Sequence, residues 1–93
     1  MDISFDPAKD ARNVARRGLS FARAADFDWA GADIIEDVRF IYPEQRFVAV
    51  GYLEGRLHVL CFTPTDTGIR VISFRKANMR EAKRYGKAQT IDG

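Results

Sequence analysis

Polar and apolar residues alternate over Asp2, Ile3, Ser4 and Phe5, the two-residue period of a short strand. Asp6 followed by Pro7 then reads as a helix start. The carboxylate can accept from an otherwise unpaired amide, and the ring fits the first helical position. The spacing predicts a helix from Pro7 to about Arg17, closed by Gly18, with Arg16 and Arg17 where cations suit the negative helix end. Ser20 reads as a second N-cap, opening a short helix through Phe21, Ala24, Ala25 and Phe27. Residues 28–45 carry the weakest pattern. Ile34 and Ile35 fit a short strand or a turn, and Pro43 interrupts the run.

The middle of the chain is β-rich. Arg46 to Leu53 and Arg56 to Thr63 flank Glu54-Gly55, a two-residue loop with glycine where a positive φ is needed. A tight turn there sets Gly51 opposite His58, Ala49 opposite Leu60 and Phe47 opposite Phe62. A loop over residues 64–68 leads to a third strand, Ile69 to Arg75. Asn78 with Glu81 three residues on forms a capping box that opens a last helix ending near Tyr85-Gly86. These elements predict an α+β domain over residues 1–86: an antiparallel β-meander with N-terminal helices and a C-terminal helix, followed by a flexible tail, 87–93. Pairing Thr63 with Ile69 puts Val48, Val50, Val59, Cys61 and Val71 on one sheet face. Phe47, Leu60, Phe62, Ile72 and Phe74 then lie on the other.

Composition narrows the class. The chain has 93 residues, 46% of them apolar, enough for one packed core. No apolar run reaches the ~18 residues of a membrane span, and Met1-Asp2-Ile3-Ser4 lacks the features of a signal peptide, so a cytoplasmic protein is expected. The single cysteine, Cys61, has no disulfide partner within the chain and fits a buried structural thiol better than a nucleophile. One Cys and one His make a poor metal-ligand set, so neither metal nor cofactor is expected. No glycine-rich phosphate loop, HExxH, GxSxG or CxxC occurs. The net charge of +2 is uninformative, but its distribution is not. Residues 24–46 hold six acids against two bases, a balance of −4, and residues 69–87 hold seven bases against one acid, a balance of +6. A basic end of this kind suits phosphates or an acidic partner, or is simply a solvated helix face.

Three features bear on chemistry. His58 is either a satisfied core or edge histidine or a general acid/base; the expected register puts it on one face with Arg56 and Arg70. Arg46, Arg70, and Arg75 with Lys76 stand near strand ends, which an antiparallel meander brings within a few ~5 Å strand spacings. Metal-free RNA cleavage needs a base at the 2′-hydroxyl, cations at the phosphorane and an acid at the leaving oxygen. Fixed arginines suit the second role. Glu44 fits the base, or else forms a surface ion pair with Arg46.

At these residues the chain resembles the BrnT family. Phe5-Asp6-Pro7-Ala8-Lys9, Asn13, and Arg16-Arg17-Gly18-Leu19-Ser20-Phe21 with Ala24 are similar to its opening block. Glu44-Gln45-Arg46 and Gly51 resemble its central strand. Arg70 through Ala77 with Glu81 and Tyr85 resembles its closing signature. One departure is that Arg17 stands where family members usually carry histidine. The resemblance implies a RelE-like fold and a metal-independent endoribonuclease toxin of a type II toxin–antitoxin system that cleaves mRNA and inhibits translation. It also implies neutralisation by a ribbon-helix-helix antitoxin, through which operator DNA is bound. Glu44, Arg46, His58, Arg70 and Arg75 are the catalytic candidates, and Lys76 and Arg80 the RNA-binding ones. The alternatives are an interaction module that binds only an antitoxin or DNA, its catalysis decayed, and a plain RNA-binding domain, in which Phe47, Phe62 and Phe74 would stack bases.

Overall fold

A computed structural model describes residues 1–91. Its elements are β1 (Asp2–Ser4), α1 (Pro7–Arg17), a 3₁₀ helix (Phe21–Asp26), β2 (Asp33–Glu36), β3 (Phe47–Leu53), β4 (Arg56–Pro64), β5 (Gly68–Lys76) and α2 (Met79–Arg84). The caps form where the sequence puts them. The Ala8 amide donates to Asp6 Oδ1 at 2.9 Å, Gly18 closes α1 with φ +66°, and the Ala22 amide donates to Ser20 Oγ at 3.2 Å. At α2 the Glu81 amide donates to Asn78 Oδ1 at 2.8 Å, and the Asn78 amide donates back to Glu81 Oε1 at 3.0 Å.

The fold is α+β around one five-stranded, mostly antiparallel sheet in the order β1-β5-β4-β3-β2. Two strands extend the expected meander. β2 joins the far edge antiparallel to β3, so Ile34 and Ile35 form a strand and not a turn. β1 pairs with β5 in parallel, Asp2 opposite Gly68. The β3–β4 register is the expected one, turning through Glu54 (φ +49°) and Gly55 (φ +75°).

The β4–β5 register differs. Thr63 faces Arg70, not Ile69, and a bulge between Cys61 and Phe62 leaves Ile72 without a partner residue, since Cys61 faces Ser73 and Phe62 faces Val71. A strand's faces alternate with period two, so one extra residue moves everything beyond it to the opposite face. Val71 therefore joins Phe62, Leu60, Phe74 and Ile69 in the larger core, under Phe21, Ala24 and Phe27 of the N-terminal segment. Arg70 moves to the other face, away from His58.

The larger core is aromatic. Trp29 packs edge-on against Phe27 and Phe62, with ring centroids 5.0 and 5.3 Å apart, and Phe74 is fully buried. Phe62 and Phe74 are thus core residues, with Phe47 packed against them, and no base-stacking surface. Helix α1 contributes little packing: none of its residues is buried. It is held by polar links, with Asn13 Nδ2 donating to the Leu19 and Phe74 carbonyls at 2.9 Å each and Asp10 accepting from the Phe21 amide. On the opposite face α2 covers only one end of the sheet, where Ala77 and Ala82 close over Val50, Leu57 and Val59.

Residues 87–91 are not a frayed end. The Leu57 amide donates to the Gln89 carbonyl at 2.9 Å, Ile91 N–H to the Gly55 carbonyl at 2.7 Å, and Tyr52 Oη–H to the Ala88 carbonyl at 2.7 Å. The segment saturates backbone groups left open near the β3–β4 turn, a role its polar sequence does not advertise. The last two residues of the expected tail lie outside the described ones. Among the described residues no helix is long and apolar enough to cross a membrane.

Candidate active site

On the face that α2 only partly covers, the strands bring side chains into rows. Val50, Val59 and Arg75 form one, and Val48, Cys61 and Ser73 the next. Continuing the register by one pair gives Arg46, Thr63 and Arg70 in a third row, ~7 Å farther along the strands. A groove of about 380 Å³ runs over the first two rows, floored by Val48, Val50, Val59 and Cys61. Its walls carry Glu36, Asp37, Arg39, Arg75, Arg84 and Tyr85. Cys61 is half-buried there, not sealed in the core as its apolar neighbours suggested.

The cations differ in how they are held. Arg75 gives both terminal nitrogens to Glu81, at 2.8 and 2.7 Å, and Glu81 also closes the α2 capping box. This pairing holds the Glu81 carboxyl well down, at about 2, and raises the Arg75 guanidinium further. Arg39 pairs with Asp37 at 3.0 Å, and Tyr42 Oη donates to the same carboxylate at 3.1 Å, so Asp37 is held far below the ordinary carboxylate range. Arg46 lies over the Tyr42 ring, 4.2 Å from its centroid, and its Nε is buried without a partner among the described residues. Thr63 Oγ1, next in that row, is likewise buried and unpartnered. Arg70 is exposed and makes no ion pair among the described residues.

The seven sequence candidates do not converge on one place. Arg46, Arg70 and Arg75 share this face. Glu44 is exposed in the loop before β3 and makes no ion pair with Arg46, whose guanidinium is stacked on Tyr42 instead. Arg80 is exposed on α2. His58 and Lys76, paired across β4 and β5, lie on the opposite face. His58 is 4% exposed and packs against Phe74, with ring centroids 5.4 Å apart. It opens onto a second cleft with Arg17, Arg23 and Arg56. The expected grouping of His58 with Arg70 fails because of the β5 bulge. The grouping with Arg56 holds in position, since the Arg56 carbonyl accepts from His58 Nδ1 at 2.7 Å. Thr63 and Tyr42 escaped sequence reasoning; the correct second-hairpin register would have set Thr63 between the two arginines. Among the described residues no three His, Cys, Asp or Glu side chains form a metal-ligand cluster.

The fold and this face define a small α+β domain with an arginine-rich sheet groove. The family model described as the ribonuclease toxin BrnT of type II toxin–antitoxin systems matches residues 5–81. The chain belongs to that family, which makes RNA its substrate class and an antitoxin its partner. A search of curated proteins finds no match.

Proposed function

We propose that the chain is a metal-independent endoribonuclease that cleaves mRNA at the arginine face by attack of the 2′-hydroxyl on the adjacent phosphate, and so inhibits translation in the cytoplasm. The observation that carries this reading is the row Arg46–Thr63–Arg70. Among the described residues it offers two arginines free of any carboxylate, one with an unpartnered buried Nε, beside an unpartnered hydroxyl. Such donors suit the charge that develops on a phosphorane. Arg75 acts beside them from within its ion pair, and Glu44, two residues from Arg46, is the candidate base. His58 and Lys76 stand outside this set. The scaffold is read as RelE-like. The antitoxin is of the ribbon-helix-helix type, carries operator binding, and covers the sheet and α2 together with the exposed Val38, Phe40 and Ile41 beside the groove.

One observation favours the second reading, a binding module with decayed activity. No imidazole faces the groove, and the candidate base Glu44 is tied to nothing among the described residues. The test is incubation of the purified chain with RNA in EDTA. Cleavage to 2′,3′-cyclic phosphate or 3′-phosphate ends is expected. Activity lost on chelation and restored by Mg²⁺ overturns the metal-free mechanism. No cleavage, with normal growth of cells expressing the lone chain, favours the binding module.

A further inference from the structure

The second cleft has a charge problem that the arginine face does not explain. It lies where the end of α1, the 3₁₀ helix, the β3–β4 turn and the end of β5 meet, with a volume of about 690 Å³. Four cations line it: Arg17, Arg23, Arg56 and Lys76. Only Arg23 is compensated, by Asp26 at 3.0 Å and by Glu54 at 2.7 Å, the latter being the cleft's one carboxylate. Arg17 donates to Asn13 Oδ1 and Arg56 to the Ala77 carbonyl, both neutral acceptors. Lys76 has no carboxylate partner among the described residues. Three positive charges thus stand uncompensated in one concavity.

Two further details belong to residues that line it. Arg56 Nε is buried and has no partner among the described residues, although leaving such a donor unpaired is unfavourable. His58 Nδ1 contacts the Arg56 carbonyl, which can only accept, so in the neutral ring Nδ1 bears the proton and Nε2 a free lone pair. Burial, and then the nearby charges of Arg56, Lys76 and Arg23, hold His58 below its ordinary value.

We infer that this cleft is a phosphate-binding site, distinct from the arginine groove, that takes one backbone phosphate of the RNA strand. Four cations against one carboxylate, itself paired with Arg23, leave three to be offset, and guanidinium forks match a phosphate bidentately. A bound phosphate would offset the Arg56 charge and turn His58 into a further donor by favouring its protonation. The strand as the source rests on the ribonuclease reading; the phosphate chemistry does not.

The test uses the whole chain and needs no cleavage. A fully 2′-O-methylated oligonucleotide, which lacks the attacking hydroxyl, is titrated by fluorescence anisotropy at several salt concentrations. In parallel the His58 ring resonances are followed by NMR on addition of inorganic phosphate and, separately, of acetate. Arg17 and Lys76 are exposed, so Arg17→Ala and Lys76→Ala should stay folded. Each is expected to weaken oligonucleotide binding ~5- to 10-fold and to lower the log–log salt slope by ~0.7, the value for one single-strand phosphate contact. Lys83→Ala, on exposed α2, is expected to change binding less than ~2-fold. Phosphate, but not acetate, should shift His58 and raise its titration point. If phosphate moves His58 while both variants bind the oligonucleotide as wild type does, the site is for a free phosphate and the strand assignment is overturned. An equal response to acetate overturns phosphate selectivity, and a silent His58 with unchanged salt slopes overturns the site. Absence of RNA cleavage, by contrast, would bear only on the arginine groove.

Discussion

Arg70 and Arg75 share a sheet face but differ in what they hold, and their replacements should part company. Arg70 is exposed and makes no ion pair among the described residues, so Arg70→Ala should leave the thermal melt unchanged. A charge-stabilising donor is typically worth ~3–4 kcal/mol, so RNA cleavage should fall ~100- to 1000-fold. Arg70→Lys should rescue poorly, since one ammonium does not reproduce the fork. Arg75→Ala breaks the bidentate contact that steadies the α2 capping box. It should lose activity and also about 1 kcal/mol of stability, read from urea unfolding. Wild-type cleavage by both folded variants, measured beside Lys83→Ala, would remove the arginine face from the mechanism. Side-chain identity made these arginines visible in the sequence; their partners were not. Glu81 was legible as a cap but not as the ligand of Arg75, because that contact depends on where α2 returns over the sheet.

At the level of elements, local signals were faithful and long-range pairing was not. Asp6-Pro7, Ser20, Glu54-Gly55 and Asn78 act within a few residues, and each cap or turn formed where it was read. The β1–β5 pairing joins residues 66 apart in sequence, and the β5 bulge is settled by which side chains fill the core. Burial of Ile69, Val71 and Phe74 on one face requires the extra residue at Ile72. No alternation of polar and apolar residues announces that. The close β1–β5 contact makes a prediction of its own. A side chain at Gly68 would collide with the Asp2 backbone. Gly68→Ala should therefore detach or shift β1 at a cost of ~2 kcal/mol, the scale of an overpacked core site. Urea denaturation and amide exchange of Ile3 and Ser4 would register it. Unchanged stability would mean that β1 is held elsewhere.

For the whole molecule, acid should act in two steps. The folded state keeps His58 neutral below its ordinary value near 6.5, so the unfolded chain binds more protons there, and stability falls as the pH drops through that region. Glu81, at about 2 in place of 4.5, and Asp37, lower still, remain ionised in the fold after the unfolded chain has taken up protons. A second loss therefore begins near pH 4.5 and continues toward 2. Urea midpoints measured from pH 8 to 3 should show both steps, and His58→Asn should erase the first; a flat profile between pH 8 and 5.5 contradicts it. The pairing of β1 with β5 also bears on synthesis. β1 leaves the ribosome before its partner β5, which emerges more than sixty residues later together with Arg70 and Arg75. A nascent chain thus holds neither a finished sheet nor the arginine face until β5 has been made. A chain cut short before β5 would lack both the strand that holds β1 and two of the three arginines of that face.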